Sequence, residues 1–216
     1  MVAITTLATL RDTITDYLLQ DDIADRVDTF IELAETRINR EVRTRLNYAT
    51  AAGTPIPSTG IVPLPTGFLD ILAHSIDVSP PFAPTYVPPN QFFALYTQTT
   101  DGGKPLFYTI MGSSIYFSPQ AASGTYTYTM HYTKTMASIL SSPNTNDLLV
   151  FAPDLYLYAS LIEAEPFLVN DARVATWTQF YERSKKSLQD LDMRSRNRPG
   201  AVMRKASGVF EGRTRF

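Results

Sequence analysis

Apolar residues recur at steps of three and four over residues 6–19, where Leu7, Leu10, Ile14, Tyr17 and Leu18 share one face. The spacing predicts an amphipathic helix with Thr5 or Thr6 as its N-cap. Gln20-Asp21-Asp22 breaks the pattern, and Asp21 or Asp22 is placed to cap a second helix. Its stripe is Val27, Phe30, Ile31, Ala34, Ile38, Val42 and Leu46. Asp25 and Asp28 sit toward the positive N-terminal end. Arg37, Arg40, Arg43 and Arg45 load the C-terminal half, as the helix dipole favours. Glu41 and Arg45 are an i,i+4 pair that would add a few tenths of a kcal/mol.

The period changes after Thr50. Gly53, Pro55, Pro57, Gly60, Pro63 and Pro65 exclude helix over 51–65. Leu72-x-His74-x-Ile76-x-Val78 then alternates as a strand does. After a second Pro-rich stretch, Pro89 opens a short helix at Asn90–Tyr96 with Phe92, Phe93 and Tyr96 as core candidates. Leu106–Met111 and Ser114–Phe117 read as strands joined at Gly112-Ser113. Residues 125–133, TYTYTMHYT, alternate strictly, with Tyr126, Tyr128, Met130 and Tyr132 on one side. Helix returns after a loop at 141–147. Pro153 starts a segment with Leu155, Tyr158, Ala159 and Ile162 on one face, and Pro166 ends or kinks it. The last helix, from about Asp171 to Asp192, carries the stripe Val174, Trp177, Phe180, Tyr181, Leu188 and Leu191.

The predicted fold class is therefore α+β. Helices from both ends form an antiparallel bundle, and a small, mostly antiparallel β domain is inserted between them. The divisions are a helical part at 1–50, the β insert at 51–144, a second helical part at 145–192 and an extended basic C-terminal arm at 193–216. A chain of 216 residues with 44% hydrophobic and 19% charged residues has enough apolar content for a packed core. The absence of Cys removes disulfides, thiolate nucleophiles and Cys-based metal sites. No apolar run reaches the ~18–20 residues that span a bilayer, and the N-terminus lacks the pattern of a signal peptide.

Charge changes the picture at one end. Residues 193–216 hold seven cations against Glu211, a net +6, and the whole-chain charge of −2 leaves −8 for residues 1–192. The arm has no helical period, but apolar residues stand between its cations. The candidate binding residues are Arg194, Arg196, Arg198, Val202, Met203, Arg204, Lys205, Val209, Phe210, Arg213, Arg215 and Phe216. One reading is a solvated arm. The other is an arm that orders in a groove of a partner protein.

Candidate chemistry is sparse. His74 and His131, the two histidines, lie in predicted strands, without metal-ligand spacing. Glu163 and Glu165 are two apart on a helix and point to different sides. Asp101-Gly102-Gly103-Lys104 lacks phosphate-loop spacing and reads as a turn, as does Leu64-Pro65-Thr66-Gly67. No catalytic, cofactor or metal site is assigned, and no enzyme activity is expected.

Four stretches, in their shared order, resemble the head-to-tail adaptor (head-completion, or portal-adaptor) proteins of tailed bacteriophages. They are Phe30–Glu41 on the second helix, Leu64–Leu69 where the insert begins, the hairpin Tyr108–Ile110 to Ile115–Pro119, and Pro153–Leu168 continuing to Trp177. The likeness covers about residues 5–192, and the arm matches in character. The resemblance implies a structural virion protein in the neck between capsid and tail, made in the host cytoplasm. It implies a ring of about twelve copies around the DNA channel, between the portal protein and a tail or nozzle protein. It further implies an arm that reaches the portal, DNA that passes without specific binding, and no membrane partner or cofactor. An acidic body suits a channel through which DNA slides. Two other classes stand beside this one: a nucleic-acid-binding assembly protein acting through its Arg-rich C-terminal segment, and a wall-degrading hydrolase.

Overall fold

A computed structural model describes residues 3–19, 25–96, 103–120, 125–168 and 172–196. Helix α1 spans Leu7–Leu18. Thr6 caps it in a reciprocal arrangement: the Thr9 N–H donates to the Thr6 hydroxyl and the Thr6 N–H to the Thr9 hydroxyl. Leu7, Leu10, Ile14 and Leu18 are buried as the period predicts, but Tyr17 is exposed. Asp21 and Asp22, the expected caps of the second helix, lie outside the described residues.

Helix α2, Val27–Glu41, stops five residues before the end of the predicted stripe. Val42 is already extended. Thr44 and Asn47 exchange side-chain and backbone hydrogen bonds around a 3-10 turn at Arg45–Asn47, which takes the chain straight into strand β1, Tyr48–Pro55. Arg43 and Arg45 thus fall off the helix, and the predicted Glu41–Arg45 pair does not form. Glu41 instead accepts from Lys185 Nζ at 2.9 Å and from the Tyr181 hydroxyl at 3.0 Å.

The β unit is two small sheets with a shared core. Strand β1, the middle strand β7 (Thr127–Lys134) and β3 (Phe68–Ile76) form an antiparallel sheet. Strands β2 (Ile61–Pro63), β6 (Ser114–Ser118), β5 (Phe107–Met111) and β4 (Thr85–Tyr86) form the second, in which β4 joins β5 in parallel. The alternation read in 125–133 sends Tyr128, Met130 and Tyr132 inward, against Ile76, Tyr108, Ile115 and Phe117. Two glycines fix turns. Gly112 takes φ +60° at the first loop position of the β5–β6 hairpin, where primed turns need a left-handed backbone. Gly67 takes φ +73° in the turn before β3, and a Cβ there would lie 2.6 Å from Thr135 Oγ1. Helix α3, Pro89–Tyr96, buries Phe92.

The remaining helices are α4 (Asp147–Phe151), α5 (Pro153–Glu163), α6 (Glu165–Leu168) and α7 (Val174–Arg196). Helix α5 is buried on nearly every side through Leu155, Tyr156, Leu157, Ala159, Ser160 and Leu161, as expected of a helix that is apolar all round. It packs against α1, α2, α4 and α7. Helix α7 contributes Trp177, Tyr181 and Leu188 to this second core, but Phe180 and Leu191 of the predicted stripe are exposed. It also runs four residues past Asp192, so the first four positions assigned to the arm are helical.

The two units are stitched where β7 leaves its sheet. Ile139 is buried among the helices, with its N–H donating to Glu35 Oε1 at 2.8 Å, and the Met136 N–H donates to Asn39 Oδ1 at 2.8 Å. Asn47 Nδ2 donates to the Lys134 carbonyl at 3.1 Å, tying the two strands of connecting chain together. Burial raises the Glu35 carboxyl above its usual range, against opposing hydrogen bonds from Ser138, the Ile139 N–H and Tyr156.

Candidate assembly surfaces

Of the predicted arm residues, Arg194 is exposed on the last turns of α7, and Arg196 is the final residue of that helix. Arg198, Val202, Met203, Arg204, Lys205, Val209, Phe210, Arg213, Arg215 and Phe216 lie outside the described residues.

Just before the arm, the structure gathers apolar residues of which periodicity singled out only Leu46, Leu188 and Leu191. Val150 and Phe151 at the end of α4 are 57% and 56% exposed, and Leu191 and Met193 of α7 are 50% and 57% exposed. Phe151, Leu188 and Leu191 line a cavity of about 120 Å3 with Thr44, Arg45, Leu46 and Asp192. The Arg45 N–H donates to Asp192 Oδ1 at 2.9 Å, joining two of the lining residues. Large apolar side chains left out of a core in one place mark a contact surface more often than a fault of packing.

The helical unit exposes charge of both signs. Arg11 pairs with Asp28 at the surface between α1 and α2, with Nε 2.6 Å from Oδ1, and Asp12 and Asp16 face out from α1. On α7, Lys185 turns inward to Glu41 and Glu182, and leaves Arg183, Lys186 and Arg194 facing out. Burial tends to raise the Glu41 carboxyl, but its hydrogen bonds from Lys185 and Tyr181 outweigh this and hold it below its usual range. Burial likewise tends to lower the Lys185 ammonium, and its bonds to Glu182 and Glu41 raise it on balance.

The residues considered for chemistry have structural surroundings. His74 packs edge-on to Tyr108, with ring centroids 4.6 Å apart, and its Nε2 is 3.0 Å from the Pro84 carbonyl. His131 Nδ1 is 2.8 Å from the Thr50 hydroxyl. Glu163 is bound by Arg37, whose Nη2 is 2.5 Å away, while Glu165 opens α6. Leu64-Pro65-Thr66-Gly67 is the turn before β3, closed by the Phe68 N–H donating to the Pro65 carbonyl at 3.1 Å. Of the expected turn at 101–104, Asp101 and Gly102 lie outside the described residues, and Lys104 Nζ sits 4.1 Å from the centre of the Phe82 ring. Among the described residues, no group of three or more His, Asp or Glu is placed to hold a metal ion, and no helix is long and apolar enough to cross a membrane.

What stands out is an apolar cleft at the root of a basic segment, with charged helix surfaces around it. This is the pattern of a component that works by contact with other proteins. The family model described as SU10 adaptor protein matches residues 5–203, and the chain belongs to that family of phage head-to-tail adaptors. Among curated proteins, none matches it.

Proposed function

We propose that this protein is a structural adaptor in the neck of a tailed-phage virion, where it forms a ring of about twelve copies between the portal and the tail or nozzle. The helices of adjacent copies pack side by side around the DNA channel. The C-terminal arm grips the portal, the β unit meets the next component, and DNA passes without being held. The match to the adaptor family carries this reading, because it runs from residue 5 through all the helices and the β unit and into the arm. The composition of the arm supports its role: apolar anchors between cations suit a groove on another protein, and a ring of individually weak arms binds tightly.

The test is a chain ending at Arg196, which keeps α7 whole. It is expected to fold and to show the circular dichroism of the full protein, yet to fail to attach to purified capsids that carry portal. Full attachment by the shortened chain would remove the arm from the mechanism. A synthetic 197–216 peptide that binds duplex DNA strongly, with a steep salt dependence and no preference for portal, would favour a nucleic-acid role instead.

A further inference from the structure

The cleft lined by Phe151, Leu188 and Leu191 lies along the last turns of α7, and Val150 and Met193, chain neighbours of its lining residues, are exposed as well. Apolar surface left in water costs ~25 cal/mol per Å2, so a cover for these side chains is favoured. Helix α7 runs to Arg196, five residues past Leu191, and residues 197–216 lie outside the described residues. The sequence there carries a direction. Pro199 cannot continue a helix, and Arg198-Pro199-Gly200-Ala201 puts Pro and Gly at the two central positions that a type II turn asks for. A reversal at that point sends Val202 and Met203 back along the end of α7. Leu191 stands ~7.5 Å up the helix from Arg196. Extended chain covers ~3.3 Å per residue, so two or three residues make the return. The first two large apolar residues after α7 are thus spaced to reach the cleft.

We infer that the cleft is the docking site of this chain's own residues 201–203, with Val202 and Met203 laid against Phe151 and Leu191 in the free protein. The tether favours this occupant. A segment that starts one turn past Asp192 is held at the cleft at an effective concentration on the order of millimolar, far above that of a second copy in dilute solution. A contact too weak to hold a separate peptide therefore holds the arm. The rim is of mixed sign, with Arg45 beside Asp192, so apolar contact carries the docking and charge does not select the occupant. The free protein hides the first two anchors of its arm in this way and leaves Val209, Phe210 and Phe216 for other contacts. On the function proposed above, portal wins Val202 and Met203 from the cleft as the arm attaches; the docking itself stands without that step.

The test uses the full chain, which has no cysteine of its own. Arg45→Cys with Arg204→Cys places one thiol on the rim and one beside the anchors; Arg45 is exposed and meets Asp192 through its backbone N–H, which the substitution keeps. In dilute protein with oxidised glutathione, an internal disulfide is expected to form. Adding Val202→Ser with Met203→Ser is expected to slow it at least about tenfold, because the tether remains but the docking is lost. An unchanged rate in that variant would show chance collision and overturn the proposal. Disulfide-linked dimers in place of the internal bridge would also overturn it and assign the cleft to a second copy. A second measurement needs no cysteine. Val202→Ser with Met203→Ser in the otherwise natural chain is expected to raise the fluorescence of an apolar dye such as ANS, although two apolar residues have been removed, since the cleft is uncovered. Equal or lower dye binding would count against the docking. Attachment of the unaltered chain to portal-bearing capsids scores the adaptor role separately.

Discussion

The helical unit and the β unit solve the same problem by different means. The helical unit supplements its large apolar core with charge: Arg37–Glu163, Lys185–Glu41 and the buried Glu35 each join segments far apart in the chain. The β unit relies on aromatic packing. Phe117 meets Tyr128 edge-on at 4.9 Å, and His74 meets Tyr108. On its outer surface, the Thr127 and Thr129 hydroxyls both donate to Asp77 at 3.0 Å. The helical unit should therefore answer to pH and salt as well as to changes of volume, whereas the β unit should answer mainly to changes of volume.

The largest effect expected is in the β unit. Phe117→Ala removes a buried ring from the interface between the sheets and is expected to cost ~3–5 kcal/mol in denaturant unfolding. A loss below 1 kcal/mol would show that the sheets do not depend on that core. The next effect is at Glu35. Glu35→Ala leaves the buried Ile139 N–H without its acceptor, at a cost of ~1–3 kcal/mol. Glu35→Gln keeps an acceptor and removes the buried charge, so it is expected to match or exceed the wild type at neutral pH.

The pH dependence separates two carboxylates of the helical unit. Because the folded state raises the Glu35 carboxyl, it binds a proton there more readily than the unfolded chain does. That contribution is full below the ordinary carboxylate range and is lost as pH rises through the raised folded value. Glu41 has the opposite sign: its contribution is present above the ordinary range and is lost as pH falls through its lowered folded value. Stability measured against pH in Glu35→Gln and Glu41→Gln chains should flatten opposite sides of the curve. The smallest effect expected is for Lys185→Met, less than ~1 kcal/mol, which should shrink further in high salt. An equal salt response in Phe117→Ala would erase the contrast between the units.

Much of this architecture was readable where one residue type settles a local question. Thr6 capped α1, Pro153 opened α5, and Gly112 turned the hairpin, each for a steric or hydrogen-bonding reason that acts within a few residues. Strict alternation placed Tyr128, Met130 and Tyr132 in the core. Reading failed where tertiary structure decides. Val42 and Leu46 keep the helical period although the chain has left the helix, since both still pack toward the same apolar interior. Strand β1 pairs through its backbone and carries small residues such as Ala49 and Ala51, so it leaves little alternating signal. Glu35 looks like part of a polar face until the 136–139 segment folds over it. Phe180 and Leu191 match the stripe of α7 but are covered only in part, Phe180 by Tyr158 of α5. The pairing of Arg11 with Asp28 and of Lys185 with Glu41 is a choice of rotamer and neighbour that spacing does not encode.

The crossing from one unit to the other has a mechanical meaning. The middle strand of one sheet runs directly into chain clamped on α2 by Asn39 and Glu35, and the return path is knotted to it by Asn47. A tug on the sheets would reach these bonds before it reached the interior of the helical unit. The joint should therefore transmit force as a stiff bracket, and a particle built from such parts would bend at the seams between molecules sooner than within one.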